Sequence, residues 1–160
     1  MGEPEATGAP ITPAGLAALQ AELEELEGPR RRELADRIRA ARALGDLREN
    51  AEYHIAKNDQ AHLETRIRRV RERLADAVVV HERSDDDSFT FGRTAEVIDE
   101  ASGEVHRWRL VGSTEADRAQ GRLSIESPVG RALMNRRVGE VVTIEAPRGA
   151  RRLRIGRLLD

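Results

Sequence analysis

From Tyr53 to Ala77 the chain carries Tyr53, Ala56, Gln60, Leu63, Ile67, Val70, Leu74 and Ala77 at alternating steps of three and four. A helix with that spacing collects these side chains into one narrow stripe. The residues between them are mostly Arg, Glu, Asp and Lys, which suit a solvated face. Such a helix must cover its stripe with another element, and the matching element lies just upstream. Leu16, Leu19, Leu23 and Leu26 step by three, four and three, and the stripe resumes at Leu34, Ile38 and Ala41. Thr12 can cap the start of this segment and Pro13 suits its first helical position. Between the two halves stands Gly28-Pro29; proline lacks an N–H and clashes with the preceding turn, so a kink is expected there. Two helical segments of similar length joined by a short Gly-containing turn predict an antiparallel coiled-coil hairpin. About thirty residues per arm correspond to roughly 45 Å.

The composition agrees with an extended helical pair. Charged residues make up 35% of the 160 and aromatics only 2%, too little aromatic mass for a large globular core. With 27 basic and 29 acidic residues the charges nearly cancel, so the whole chain has no polyelectrolyte character for duplex nucleic acid. Cysteine is absent, which excludes disulfides and thiolate metal sites. No apolar run near the start is long enough for a signal peptide or membrane span, so a cytoplasmic protein without a membrane partner is expected.

The expected organisation is a disordered tail over 1–10, the hairpin over 11–80, a polar linker over 81–88 and a second domain over 89–160. Beyond the linker come short strand-like runs: Phe89–Phe91, Thr94–Ile98, Val105–Val111, Leu123–Ile125, Val141–Ile144 and Leu153–Leu158. Ser102-Gly103 and Arg148-Gly149 mark turns. Ser127-Pro128 opens a short helix through about Asn135, with Gly139 beyond its end. The fold class is therefore α+β, a coiled-coil hairpin followed by a small antiparallel-sheet domain.

The turn of the hairpin, residues 45–54, reads Gly-Asp-Leu-Arg-Glu-Asn-Ala-Glu-Tyr-His. Asp46 and Glu49 are three apart, which on helical or near-helical backbone places both carboxylates on one side. Two hard oxygen ligands suit Mg²⁺, which takes one or two protein carboxylates and keeps several waters. Alone they would hold it weakly; their natural use is to complete a site whose other ligands come from a partner. The competing reading is local: Asp46 caps the returning helix and Glu49 closes a capping box. Glu52 is equally acidic and lies one residue before the stripe. Spacing alone leaves both readings open. His54, His62, His81 and His106 form no metal constellation, since even 54 and 62 lie two helical turns apart.

The ten tip residues, Thr12 with the leucine stripe, and the segments Trp108–Asp117, Ile125–Leu133 and Val138–Val142 together resemble the bacterial Gre transcript-cleavage factors, most of all the GreA branch. The likeness runs from about residue 11 onward. It implies an FKBP-like second domain that binds RNA polymerase rather than acting as a prolyl isomerase. With Phe89, Phe91 and Trp108 as its only aromatics, this half also lacks the walls of an isomerase pocket. The resemblance further implies that the hairpin enters the secondary channel of RNA polymerase. There Asp46 and Glu49 would help hold a shared Mg²⁺ and its attacking water, so that backtracked RNA is cut near its 3′ end. The chain would then be no enzyme itself but a cofactor of the polymerase's own RNA cleavage. Arg48 and Lys57 match basic positions expected to steady phosphates of the nascent RNA. Gly45, Leu47, Asn50, Tyr53 and His54 match structural positions of the tip. Arg131, Arg136, Arg137, Arg151, Arg152, Arg154 and Arg157 are candidates to face acidic polymerase surface, in a protein expected to be a monomer. The alternative is a non-cleaving Gre-like channel regulator; relatives of that kind carry altered acidic tips, whereas this chain keeps both carboxylates.

Overall fold

The computed structural model describes residues 8–81 and 86–159. Two compact units emerge: one holds Leu16–Ala77, the other the described residues on either side of it.

In the helical unit, α1 (Pro13–Glu25) leads through a π-helical turn (Leu26–Arg30) into α2 (Arg31–Arg42), and α3 (Ala51–Asp76) returns. Leu19, Leu34, Ile38 and Ala41 from the outgoing path are buried, as are Ala56, Leu63, Ile67 and Val70 from α3. Every other stripe position is at least partly covered. Burying each Leu, Ile or Val contributes about 1.5–3 kcal/mol. Ion pairs flank the stripe: Arg31–Glu64 at 2.8 Å, Arg37–Asp59 at 3.0 Å, Arg71–Glu27 at 2.6 Å and Arg66–Glu22. They are exposed, so each adds little stability and serves mainly to favour one register. Hydrogen bonding from Arg31 holds the Glu64 carboxyl below its usual range.

The π turn explains Gly28-Pro29. Pro29 cannot donate to the helix and its ring would strike the carbonyl four residues back. Widening the turn makes room, while Glu25 and Arg31 on either side keep right-handed helical dihedrals. It also corrects the phase. Leu26 and Leu34 are eight residues apart, one more than the alternation of three and four provides. A π turn absorbs one extra residue and returns Leu34 to the stripe.

The other unit is a five-stranded sheet in the order β6-β5-β4-β9-β8, built from β4 (Thr94–Asp99), β5 (Val105–Val111), β6 (Arg122–Ser124), β8 (Val141–Ile144) and β9 (Arg151–Leu158). The pairs β4–β5, β4–β9 and β8–β9 are antiparallel, but β5–β6 is parallel, so the sheet is mixed rather than purely antiparallel. The chain between β5 and β6 makes a crossover through a 3₁₀ turn (Arg118–Gln120), which lets β6 run alongside β5. Helix α4 (Pro128–Leu133) covers one face, and Leu133 joins Ala95, Val97, Leu110, Leu123, Val142, Ile144, Leu153 and Ile155 in the core. Ser127 caps α4 by accepting from Gly130 N at 3.0 Å. The helix stops short of the expected Asn135, which adopts φ 62°. A separate short pair joins β3 (Ser88–Phe89) to β7 (Arg136–Arg137). Buried Arg93 braces β3 by donating to Ser88 O and Asp86 O. The aromatics are spent on structure: Phe89 and Phe91 are buried, and Trp108 stacks on His106 at 4.7 Å.

The observed boundaries differ from the expected ones at both ends of the hairpin. Ala9 and Pro10, expected in the tail, belong to β1 (Ala9–Ile11), paired with β2 (Ala77–Val79), and Val80 N donates to Ile11 O at 3.0 Å. The Glu115 carboxylate receives Thr12 N at 3.0 Å, Thr12 Oγ1 and Gly112 N at 3.3 Å. Thr12 Oγ1 in turn accepts from Gly15 N at 3.0 Å, which makes it the cap of α1. Pairing distant in sequence thus turns Ala9–Ile11 into a strand, and the outgoing helix begins only at Pro13. The remaining tail, residues 1–7, and positions 82–85 of the linker lie outside the described residues.

Candidate functional site

The chain reverses between α2 and α3 over residues 43–50, none of them helical. Gly45 has φ 125°, a conformation that glycine reaches without strain. Asp46 Oδ1 accepts from Arg48 N at 3.0 Å, closing a small turn within the loop. Asn50 sits at the N-cap of α3, and its Oδ1 accepts from Tyr53 N at 3.1 Å. Its Nδ2 donates to Ala41 O, in the last turn of α2, at 2.5 Å. His54 Nε2 lies 3.2 Å from Arg48 O, the Tyr53 ring meets His54 edge-on, and Arg42 lies over Tyr53 at 5.7 Å.

This geometry removes the capping alternative. The cap residue is Asn50, and three residues on stands Tyr53, so there is no capping box. Asp46 and Glu49 lie before the cap, on looped rather than helical backbone. Both are exposed. With Glu52 they line an open concavity of about 370 Å³ whose remaining walls are Leu44, Asn50 and Ala51. Glu52 and Leu44 are the residues missing from the sequence-based site. Glu52 had a signal, since it follows Glu49 by three, and the first turn of a helix favours a carboxylate. Leu44 falls outside the stripe and is 67% exposed, as Ile55 is at 57% and Leu47 at 40%.

The other predicted positions sit nearby. Arg48 is exposed at the centre of the loop, with its backbone rather than its side chain in the hydrogen bonds above. Lys57 lies two turns into α3 and donates to Gln60 at 3.0 Å. Among the described residues, no group of three or more His, Asp or Glu side chains is arranged to hold a metal ion. The donor set at the tip is two or three exposed carboxylates, which fits partial coordination of a hard divalent cation. Of the arginines in the sheet unit, Arg151, Arg154, Arg157 and Arg136 pair internally with Asp99, Glu100, Glu96 and Glu140. No described helix is long and apolar enough to cross a membrane.

Comparison with known proteins agrees with both units. Residues 9–79 match the family described as transcription elongation factor, N-terminal, and residues 84–158 match transcription elongation factor GreA/GreB, C-terminal. A transcription elongation factor GreA of Roseiflexus sp. (strain RS-1) is 46% identical over 147 residues, covering 91% of this chain and 93% of the relative. One from Thermomicrobium roseum is 45% identical over 146 residues, with 91% and 94% covered. The crystal structure of GreA factor homolog 1 (Gfh1) of Thermus thermophilus is 27% identical, covers 96% and 99% of the two chains, and aligns with a TM-score of 0.43. With both halves matched and relatives identical at nearly half of their positions, this chain belongs to the GreA/GreB family of transcription elongation factors, close to GreA.

Proposed function

We propose that the chain is a transcription elongation factor that acts on RNA polymerase, carrying its acidic loop through the secondary channel to promote cleavage of backtracked RNA. The observation that supports this most is the division of labour at the tip. Asn50 caps α3, so Asp46 and Glu49 have no capping duty and stand exposed at the chain reversal.

In this reading Asp46 and Glu49 would hold one side of a Mg²⁺ ion whose other ligands would come from the polymerase. When bound, that ion would supply Lewis acidity and a water of lowered pKa for phosphodiester hydrolysis. The carboxylate oxygens not bound to the ion would be free to accept hydrogen bonds from a neighbouring water. Arg48, exposed between them, offers its guanidinium to a phosphate of the nascent RNA 3′ segment, and Lys57 offers a second positive charge. The chain then acts as a cofactor of the polymerase and not as an enzyme in its own right.

The test uses stalled, backtracked elongation complexes with end-labelled RNA and Mg²⁺. The intact protein should shorten the transcript. Asp46→Ala and Glu49→Ala should each abolish most shortening while still competing with the parent protein for polymerase. Failure of the intact protein to shorten the RNA while it binds polymerase would sink the reading and leave a non-cleaving regulator.

A further inference from the structure

Two exposed carboxylates on a loop make a poor catalytic device unless the loop is held. Placement matters at this scale: a reacting group misplaced by about 1 Å can lose roughly 100-fold in rate. The loop over 43–49 has no buried hydrophobic anchor, since Leu44 is 67% exposed and Leu47 40%. Its order must therefore come from polar bonds, and these form a connected set.

We infer that Asn50, assisted by His54, is a positioning residue that fixes the carboxylate loop; the catalytic part of this inference rests on the function proposed above. An N-cap needs only an acceptor oxygen, and Asn50 Oδ1 supplies it to Tyr53 N. The donor Nδ2 is surplus to capping, and it is the group that reaches Ala41 O on the opposite helix. Asn50 thereby ties the last turn of α2 to the first turn of α3, fixing where the loop leaves and where it returns. Within the loop, the His54 ring nitrogen binds Arg48 O while Arg48 N binds Asp46 Oδ1. Asp46 is thus held through Arg48 by a side chain rooted in α3. Glu49 is bracketed in sequence by Arg48 and Asn50, the two residues so held. The Tyr53 ring, packed against His54 and under Arg42, backs this set from the helix side.

The discriminating substitution separates the two duties of Asn50. Asn50→Ser keeps a good cap oxygen but is too short to reach Ala41 O. Asn50→Asp keeps the cap oxygen at full length and removes the donor, and it carries the test should the serine variant melt early. Backbone ¹⁵N relaxation on the full-length protein reads the loop directly. Residues 44–49 should show order parameters near 0.8 in the parent and below roughly 0.6 in the variant, with α2 and α3 unchanged. In the transcript assay the maximal cleavage rate should fall roughly 10- to 100-fold. The concentration of factor giving half-maximal effect should stay within about twofold, because docking is untouched. His54→Ala should show a smaller loss of the same kind, and His54→Gln, which restores an amide donor of similar reach, should recover much of it.

An unchanged loop in both Asn50 variants overturns the inference. So does a loosened loop that cleaves at the parental rate. Should the parent itself fail to cleave while Asn50→Ser still loosens the loop, the proposed function falls and the positioning of the loop by Asn50 stands.

Discussion

Replacing Gly130 by alanine is the sharpest test of the sheet unit. Gly130 lies in the first turn of α4 and is buried. A Cβ there would lie 1.9 Å from Ser124 O, 2.8 Å from Ser124 C and 3.0 Å from Ser127 Oγ. A carbon–oxygen contact ordinarily needs about 3.3 Å, so backbone must move by more than about 1 Å. The atoms it meets are the ones that start the helix: Ser127 Oγ donates to Ser124 O at 2.6 Å and accepts from Gly130 N. Losing the cap costs about 1 kcal/mol and overpacking a further 1–3, for a total of about 2–4 kcal/mol. The control is Gly156→Ala in β9, whose Cβ would meet Ile98 Cδ1, the end of a flexible side chain, at 3.1 Å and Glu96 O at 3.3 Å. There the reduced freedom of the unfolded chain offsets a small displacement, and the net change should stay within about 1 kcal/mol. Differential scanning calorimetry of both variants measures the difference. Gly130→Ala should lower the melting of this unit by at least roughly 8 °C, and Gly156→Ala should move it by only a few degrees. Equal melting of the two would refute the close approach of α4 to Ser124.

Three further outcomes are expected. Glu115→Gln turns one of the two acceptors facing Thr12 N, Thr12 Oγ1 and Gly112 N into a donor, and should cost about 1–3 kcal/mol in denaturant titration, with accelerated exchange at the Thr12 amide. Ile67→Ala empties a fully buried site between the helices and should cost about 2–4 kcal/mol, read by helix-sensitive circular dichroism. Asp99 is held below its usual value of 3.8 by the amides of Ala101 and Ser102 and by Arg151. A lowered carboxylate pKa adds stability above the unfolded value and loses it as pH falls through the folded one. Asp99→Asn should therefore melt earlier at neutral pH and show a shallower loss of stability below about pH 4.

The hairpin was legible because burial on one face of a helix writes itself into the spacing, and Leu63, Ile67 and Val70 are where that spacing puts them. The π turn was only half legible. Gly28-Pro29 announced a disturbance, but whether a helix kinks or widens depends on where Leu34 must point, which the partner helix decides. β1 was not legible: Ala9-Pro10-Ile11 has neither length nor alternation and exists through its pairing with residues 77–80, beside the bonds of Thr12 to Glu115. The parallel β5–β6 pair was missed for a similar reason, since direction of pairing is set by the path of the connection. At the tip, residue types pointed to the acidic pair, whereas the choice of cap did not follow from spacing. Asp46 and Asn50 are both good caps, and the reach of the Asn50 side chain to Ala41, nine residues back, selects between them.

The bond between Val80 and Ile11 has a consequence for how the hairpin can come apart. Each arm is continuous with a strand bonded to the other, so neither helix has a loose end at its foot. Fraying, which normally eats into a helix from its termini, is left one place to begin: the reversal at 43–50, where burial is least and polar bonds such as Asn50 to Ala41 are the tie. In a chain tethered in this way the acidic loop is also the weakest seam of the arm, and any softening of the hairpin, by heat, by denaturant or by mutation, will be felt first at Asp46 and Glu49.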